Sequence, residues 1–441
     1  MIILPAKRIR GQLKMPGDKS ISHRAAMIAA LGEGASRIRN FSTSADCNST
    51  LTCLKELGVS AVREGAELLI QGVGSHGFHP PSALLDCGNS GTTMRLLAGI
   101  LSGQNFESTL TGDASLRSRP MVRIIEPLQM MGASISSDGG RAPLVIHGHQ
   151  PLQAITYELP VASAQLKSCI LLAGLNAAGR TEVIENEVTR DHTERMLRGF
   201  GVQIESRTVE KGGANAQSVA ITGPCTLQAR DMSVPGDISA ASYFIAAAAL
   251  LPGSCFEARD TGVNPTRVLF LEQLRGFRLD VEIREMREES NEPVGLIRVY
   301  GSEKQTSLAK FDSPIMIQGS IVPQLIDELP LLAVVGSQVE GGIEIRDAAE
   351  LRVKESDRIA ATAMNLRAMG AEVEELDDGL RVSGPARLRG ARIDSRGDHR
   401  IAMAFTVAGL IADGETEIDG PECVAISFPE FFELLDSVVE R

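Results

Sequence analysis

Apolar residues along the chain follow two rhythms in turn. A stretch with helical spacing closes on a glycine. An alternating stretch, a polar turn and a second alternating stretch follow it, which predicts a helix leading into a hairpin. This pattern appears in "LKELGVSAVREGAELLIQG" (54–72), "LQMMGASISSDGGRAPLVIHG" (128–148), "LRGFGVQIESRTVEKGGANAQSVAITG" (197–223) and "LRAMGAEVEELDDGLRVSG" (366–384). "LEQLRGFRLDVEI…GLIRVYG" (271–301) reads as a fifth copy, with Phe277 where the others carry Gly, and a sixth stops short in "FFELLDSVVE" (431–440).

Each copy is preceded by another apolar helix that opens on small or charged residues. These openings are "GDKSISHRAAMIAALGEG", "GNSGTTMRLLAGILSGQ", "ASAQLKSCILLAGLNAAG", "PGDISAASYFIAAAALLPG", "LIDELPLLAVVGSQVEG" and "GDHRIAMAFTVAGLIADG". The repeating unit is therefore strand–helix–strand–helix–strand–strand, and six units in 441 residues take about 73 residues each. Units this large and mixed do not stack as a solenoid. Three and three predict an α/β protein of two similar domains, with a crossover in "DMSVPGD" (231–237).

Composition narrows the function. Trp is absent and aromatics are 4%, so Ala, Leu, Ile, Val and Met must build the core. A net charge of -12 excludes a general binder of nucleic acid or of anionic membrane, and any anion site must be a local cluster of cations. The seven cysteines are scattered and none forms C-x-x-C, which predicts reduced thiols in a cytoplasmic protein rather than disulfides or zinc. The N-terminal "MIILPAKRIRGQLKMP" has too short an apolar run for a signal peptide. The longest apolar run, "YFIAAAALL" (243–251), is too short to span a bilayer and reads as a buried helix.

The polar exceptions sit at the mouths of the repeat helices, where free N–H groups and the helix dipole favour anions. "PGDKSISHR" (16–24) places Lys19, Ser20 and Arg24 there, with Ser20 and Arg24 on one face. A capped helix start with solvated charges would look similar. "DCGNSGTTMR" (86–95) carries Gly88, Ser90 and Gly91, which let backbone approach a ligand, but no Walker lysine follows. "GDASLRSRP" (112–120) adds Arg117 and Arg119. In "ELRVKESDRIAATAMNLRAMG" (350–370), Lys354 and Arg358 are i and i+4, with Glu355 and Asp357 between them; an exposed salt-bridged face is the plainer alternative. "GDHRIAMAF" (397–405) offers His399 and Arg400, and "LIDELPLLAVV" (325–335) opens on Asp327 and Glu328, either first-turn acids or a base. The histidines of "HGFH" (76–79) and "HGH" (147–149) lack partners at ligand spacing, so no metal is expected.

Taken in order, "PGDKSISHR", "GNSGTTMR", "GDASLRSRPM", "ELRVKESDR" and "DHRIAM" resemble the 5-enolpyruvylshikimate-3-phosphate synthase family over essentially the whole chain. The resemblance implies two domains, each a threefold repeat with helices buried inside, like an inverse α/β barrel, joined by a two-strand hinge and closing over a cleft. It assigns residues 1–14 and 234–441 to a C-terminal-half domain on the phosphoenolpyruvate (PEP) side, and 15–233 to an N-terminal-half domain on the shikimate 3-phosphate side. It implies transfer of the enolpyruvyl group of PEP to the 5-hydroxyl of shikimate 3-phosphate, through a tetrahedral intermediate. No cofactor is implied, the two substrates are the partners, and a monomer is expected.

By the same resemblance, shikimate 3-phosphate is held by Lys19, Ser20, Arg24, Ser163, Ala164, Gln165, Arg190, Asp327 and Lys354. PEP falls to Lys19, Gly91, Arg119, Gln165, Arg358, His399 and Arg400. Asp327 is the implied base on the 5-hydroxyl and Glu355 the implied proton donor to the methylene carbon, with Lys19 beside them as a catalytic cation.

Two positions depart from the family pattern. Ala164 stands where many members have a second serine, and Ile426, in "CVAISFPEFF" (423–432), where many have a lysine. Gly91 goes in this family with sensitivity to glyphosate. The sister enzymes that use UDP-N-acetylglucosamine carry a Cys in the loop matching "GDASLRSRPM", which this chain lacks. A non-catalytic binding protein on the same scaffold is disfavoured by Asp327, Glu355, Lys19 and Arg358 together.

Overall fold

The protein is described from a computed structural model covering residues 1–211, 213–301 and 313–441, so Gly212 in the turn of the third repeat lies outside the described residues. The chain divides into two compact units. The N-terminal unit is Gly17–Val234 with Glu289–Glu292, and the C-terminal unit is Met1–Pro16, Pro235–Glu288 and Pro293–Arg441.

In the N-terminal unit the helices that position functional groups are α1 (Lys19–Leu31), α2 (Ala45–Glu56), α3 (Gly91–Ser102), α4 (Ala164–Gly174) and α5 (His192–Gly199). Its three sheets share one plan: a short strand parallel to the strand after the repeat helix, then a hairpin alongside. In the second repeat Leu85–Asp86 pairs with Glu107–Thr111, which pairs with Arg141–His147 and then Ser134–Asp138. The first and third repeats follow the same order, and the first closes with Leu227–Gln228 from the far end of the unit.

The C-terminal unit repeats the plan with α6 (Ile238–Leu250), α7 (Leu329–Gly336), α8 (Arg358–Ala368) and α9 (His399–Leu410). The strand Arg8–Lys14 lies parallel to Cys255–Gly262, and Val439–Glu440 pairs with it from the other side. Ile2–Ile3 joins Thr416–Asp419, so the truncated sixth repeat is completed from the start of the chain.

Burial follows from the sequence pattern. Every residue of α6, α7 and α9 is buried, as expected of helices apolar on all sides. No single helix among the described residues is long and apolar enough to cross a membrane. The two cores are separate clusters, one in each unit, rich in Ala, Leu, Ile and Val.

The structure corrects the fifth copy. The residue that takes the left-handed conformation after each helix is Gly58 (φ 88), Gly132 (φ 103), Gly201 (φ 89) and Gly370 (φ 92), and in the fifth copy it is Arg278 (φ 60). Phe277 therefore matches Phe200 and Met369, one position earlier, and like them it is buried. The 350–370 stretch is likewise not one helix. A short 3₁₀ turn covers Ala349–Val353 and α8 starts at Arg358. Lys354 is extended at the end of that turn, and Asp357 caps α8 by accepting from the Ala360 N–H at 3.0 Å, so Lys354 and Arg358 do not share a helix face.

Candidate active site

In the N-terminal unit the functional side chains come from helix starts. Asp18 caps α1 through its carboxylate, which accepts from Ile21 N–H at 2.9 Å, and so sets Lys19 at the first position. Lys19 Nζ lies 2.9 Å from Asp46 Oδ2 on α2 and its side chain is 16% exposed. Arg24, one turn on, is almost fully buried. It donates from Nη1 to the Ser20 carbonyl (2.9 Å), from Nε to Thr193 Oγ1 (2.7 Å) and from Nη2 to Ser168 Oγ (2.9 Å). Burial lowers its pKa to about 10, with Arg190 pushing the same way against Glu194. Three helices thus converge on one guanidinium, and Arg190 stands near enough to be felt as charge.

Gly91 is the first residue of α3, with Ser90 as its cap. A Cβ there would fall 2.9 Å from Arg95 Nη1 and 3.5 Å from Arg119 Nη1. Arg95 Nη1 donates to Gln165 Oε1 at 2.5 Å, and Gln165 Nε2 donates to Thr92 Oγ1 at 2.9 Å. Arg119 ends a short helix and donates to Asn89 Oδ1 at 2.8 Å and Ser115 Oγ at 3.1 Å. Ser163 caps α4, and Ala164 is its first residue. Gly91, Arg95, Arg119 and Gln165 therefore form one polar cluster. Arg95 had no part in the sequence-derived set, although it lies one turn after Gly91 within "GNSGTTMR".

In the C-terminal unit Arg358 is the hub. Its Nε donates to Asp398 Oδ2 (2.8 Å) and its Nη2 to Asp398 Oδ1 (3.2 Å) and Glu355 Oε2 (2.6 Å). Its Nη1 lies 3.7 Å from Asp327 Oδ1. Burial works against its charge, but Asp398, Glu355 and Asp327 outweigh that and hold its pKa above the usual value. The two expected catalytic carboxylates, Asp327 and Glu355, thus meet on one guanidinium while staying about a fifth exposed. Lys354 lies 3.7 Å from Glu350. Desolvation pulls its pKa down despite Glu350, Asp327 and Glu355.

His399 and Arg400 open α9 under the Asp398 cap, and both are buried. Arg400 Nη1 donates to Ser239 Oγ (2.8 Å) and Tyr243 OH (3.3 Å) on α6, and lies 3.9 Å from Glu328 Oε1. Burial opposes its charge, but Tyr243, Asp327, Glu328 and Asp237 hold its pKa well above the usual value. Ser239 also donates to Glu328, and Arg267 Nη2 stands 3.6 Å from the same carboxylate. Asp398, Ser239, Tyr243 and Arg267 were not legible as site residues. Ile426 ends a 3₁₀ turn and packs against the apolar core. No cluster of three metal-ligating side chains is present among the described residues.

The family model described as EPSP synthase (3-phosphoshikimate 1-carboxyvinyltransferase) matches residues 3–435. A 3-phosphoshikimate 1-carboxyvinyltransferase of Geobacter sp. (strain M21) is 48% identical over 441 residues, covering 100% of this chain and 99% of its own. One of Koribacter versatilis (strain Ellin345) is 49% identical over 440 residues, with 100% and 99% covered. The solved EPSP synthase of Acinetobacter baumannii superimposes with a TM-score of 0.84 at 41% identity, covering 99% of this chain and 98% of that one. The enolpyruvyl transferase NikO of Streptomyces tendae shares the fold, with a TM-score of 0.75 at 19% identity, 100% of this chain and 97% of that one being covered.

Proposed function

The chain belongs to the EPSP synthase family, and on that premise we propose how its residues carry the reaction. The enzyme transfers the carboxyvinyl group of PEP to shikimate 3-phosphate and releases phosphate. The acceptor reacts through its 5-hydroxyl. That oxygen bonds to C2 of PEP while C3 takes a proton, giving a tetrahedral ketal phosphate. The methyl group then returns a proton to the donor as the C–O bond to phosphate breaks, inorganic phosphate leaves, and the enol ether remains.

Lys19, Ser20, Arg24, Ser163, Ala164, Gln165 and Arg190 hold shikimate 3-phosphate, with Asp327 and Lys354 at its reacting end. Gly91, Arg119, Gln165, Arg358, His399 and Arg400 hold PEP, with Lys19 reaching both substrates. Asp327 takes the hydroxyl proton and Glu355 protonates C3. One observation carries this assignment: Asp327 and Glu355 both lean on the buried Arg358, so a fixed cation stands beside each proton-transfer group. The unpaired state of all seven cysteines supports a place in the cytoplasm, and we take the active form to be a monomer.

Phosphate release from PEP tests the acceptor, run with shikimate 3-phosphate and separately with UDP-N-acetylglucosamine. Release with shikimate 3-phosphate alone is expected; release with the sugar nucleotide alone refutes the reading. Glu355→Gln tests the proton donor. It is expected to lower kcat by about 10²–10⁴ with both substrates still bound. A near wild-type kcat would remove Glu355 from that role.

A further inference from the structure

His23 faces inward from α1, is fully buried, and has no part in the roles above. Its Nδ1 is 2.7 Å from Thr50 Oγ1 on α2, and Thr50 Oγ1 is 2.7 Å from Thr93 Oγ1 on α3. Thr93 Oγ1 in turn donates to Ser90 Oγ at 2.8 Å, the oxygen that caps α3 by accepting from Thr93 N–H at 3.1 Å. All four side chains are shut away from solvent.

The hydrogen bonds have only one consistent direction. The single hydroxyl proton of Thr93 goes to Ser90, so Thr93 must accept from Thr50. The proton of Thr50 is then committed, so Thr50 must accept from His23. The imidazole therefore carries its proton on Nδ1, and Nε2 is a bare acceptor with no hydrogen-bond partner. Burial, with Lys19 and Arg24 nearby, keeps the ring neutral by lowering its pKa well below the usual value, which agrees with that tautomer.

The chain of bonds begins one turn after Lys19 and ends beside Gly91. A second tie runs alongside it, because Lys19 bonds Asp46 and Asp46 lies one turn before Thr50 on α2. Buried neutral hydrogen bonds add little net stability over apolar groups of the same shape, but their direction and length fix a geometry that apolar packing leaves loose. Arg24 is held by other bonds, to Thr193, Ser168 and the Ser20 carbonyl, and does not depend on this one.

We propose that His23 is a positioning residue for the transfer reaction: through Thr50 and Thr93 it fixes Ser90 and Gly91 at the start of α3 relative to Lys19 at the start of α1, and so sets the fit of PEP. The proposal rests on the reading of Lys19 and Gly91 as PEP ligands.

Thr50→Val and Thr93→Val remove the hydroxyls and keep the shape. The KM for PEP is expected to rise about fivefold or more in each, with kcat and the KM for shikimate 3-phosphate within about twofold of wild type. His23→Leu is expected to do the same, and His23→Asn, whose amide N–H stands where Nδ1–H does, to restore most of the loss. Because the chain acts as a unit, Thr50→Val with Thr93→Val should cost no more than either alone. An unchanged KM for PEP in both Val variants overturns the proposal. So does an equal shift for both substrates, or a His23→Asn enzyme as poor as His23→Leu. Lys19→Met separates the two levels. If its KM for PEP is unmoved, the underlying ligand reading fails and the proposal with it; if that KM rises while Thr93→Val is silent, the relay alone fails.

Discussion

At Gly91 the room beside the helix start is bounded by two guanidinium groups. A methyl group there would press on Arg95 Nη1 at 2.9 Å, and Arg95 is already tied to Gln165. The obstructed atom is the end of a flexible side chain, so the fold should tolerate the change while the cation moves. Gly91→Ala is therefore expected to raise the KM for PEP about tenfold with little effect on the thermal midpoint. Inhibition by glyphosate should weaken in parallel, since the wild type is expected to be sensitive. Steady-state kinetics on both variants checks this, and an unaltered KM would show that Gly91 does not border the ligand. Lys19, Arg24 and Gly91 could be picked out from the sequence as candidates because they sit at helix mouths beside breakers and caps. Arg95, Asp398 and Ser239 could not. Their partners lie 70, 40 and 161 residues away, and only the fold brings those positions together.

Elements were legible where the two rhythms were clean, and misread where one residue broke a rule. The fifth repeat reads one position early in the sequence because Arg278 occupies a left-handed position that a glycine takes in four other copies. A side chain with φ near 60° carries strain that glycine lacks. Arg278→Gly should thus stabilise the protein by about 0.5–1 kcal/mol, the strain relief being partly offset by the freer unfolded chain. Urea unfolding measures it, and a lower midpoint would show that the Arg278 side chain contributes more than its backbone costs. The break before α8 is hidden in the sequence for a different reason. Helical spacing continues through 354–357 on paper, but Asp357 accepts from the Ala360 N–H and also takes Arg352 at 2.7 Å, and this cap ends the reading frame of the helix. That break is what frees Glu355 to meet Arg358 three residues on.

For the molecule as a whole, the sixfold pattern was visible because every repeat must bury an apolar helix under its own hairpin. The assignment of Glu289–Glu292 to the N-terminal unit was not, because nothing in a hairpin's alternation says which unit its turn is counted with. Ion pairs on the sheets of these repeats contribute to the response to acid. Glu182 accepts from Arg180 and Ser218, with Arg207 at 3.2 Å, and these contacts lower its pKa to about 2. Glu344 is lowered by Arg381 and Arg346, and Glu158 by Lys211 and Asn186. Each of these carboxylates is more acidic folded than unfolded, so the unfolded state binds more protons as pH falls. Their stabilisation is complete above the ordinary carboxylate range near pH 4.5 and is lost as pH falls towards the folded values, about 2 for Glu182. The contribution of these carboxylates should therefore hold from neutral pH down to about pH 5 and then fall steeply. Glu182→Gln should be less stable than wild type at pH 7, and its deficit should shrink as the pH drops below about 4.5. Urea midpoints at pH 7, 5, 4 and 3 for the two proteins decide the matter. A deficit that stays constant with pH would show that Glu182 acts through packing rather than through its charge.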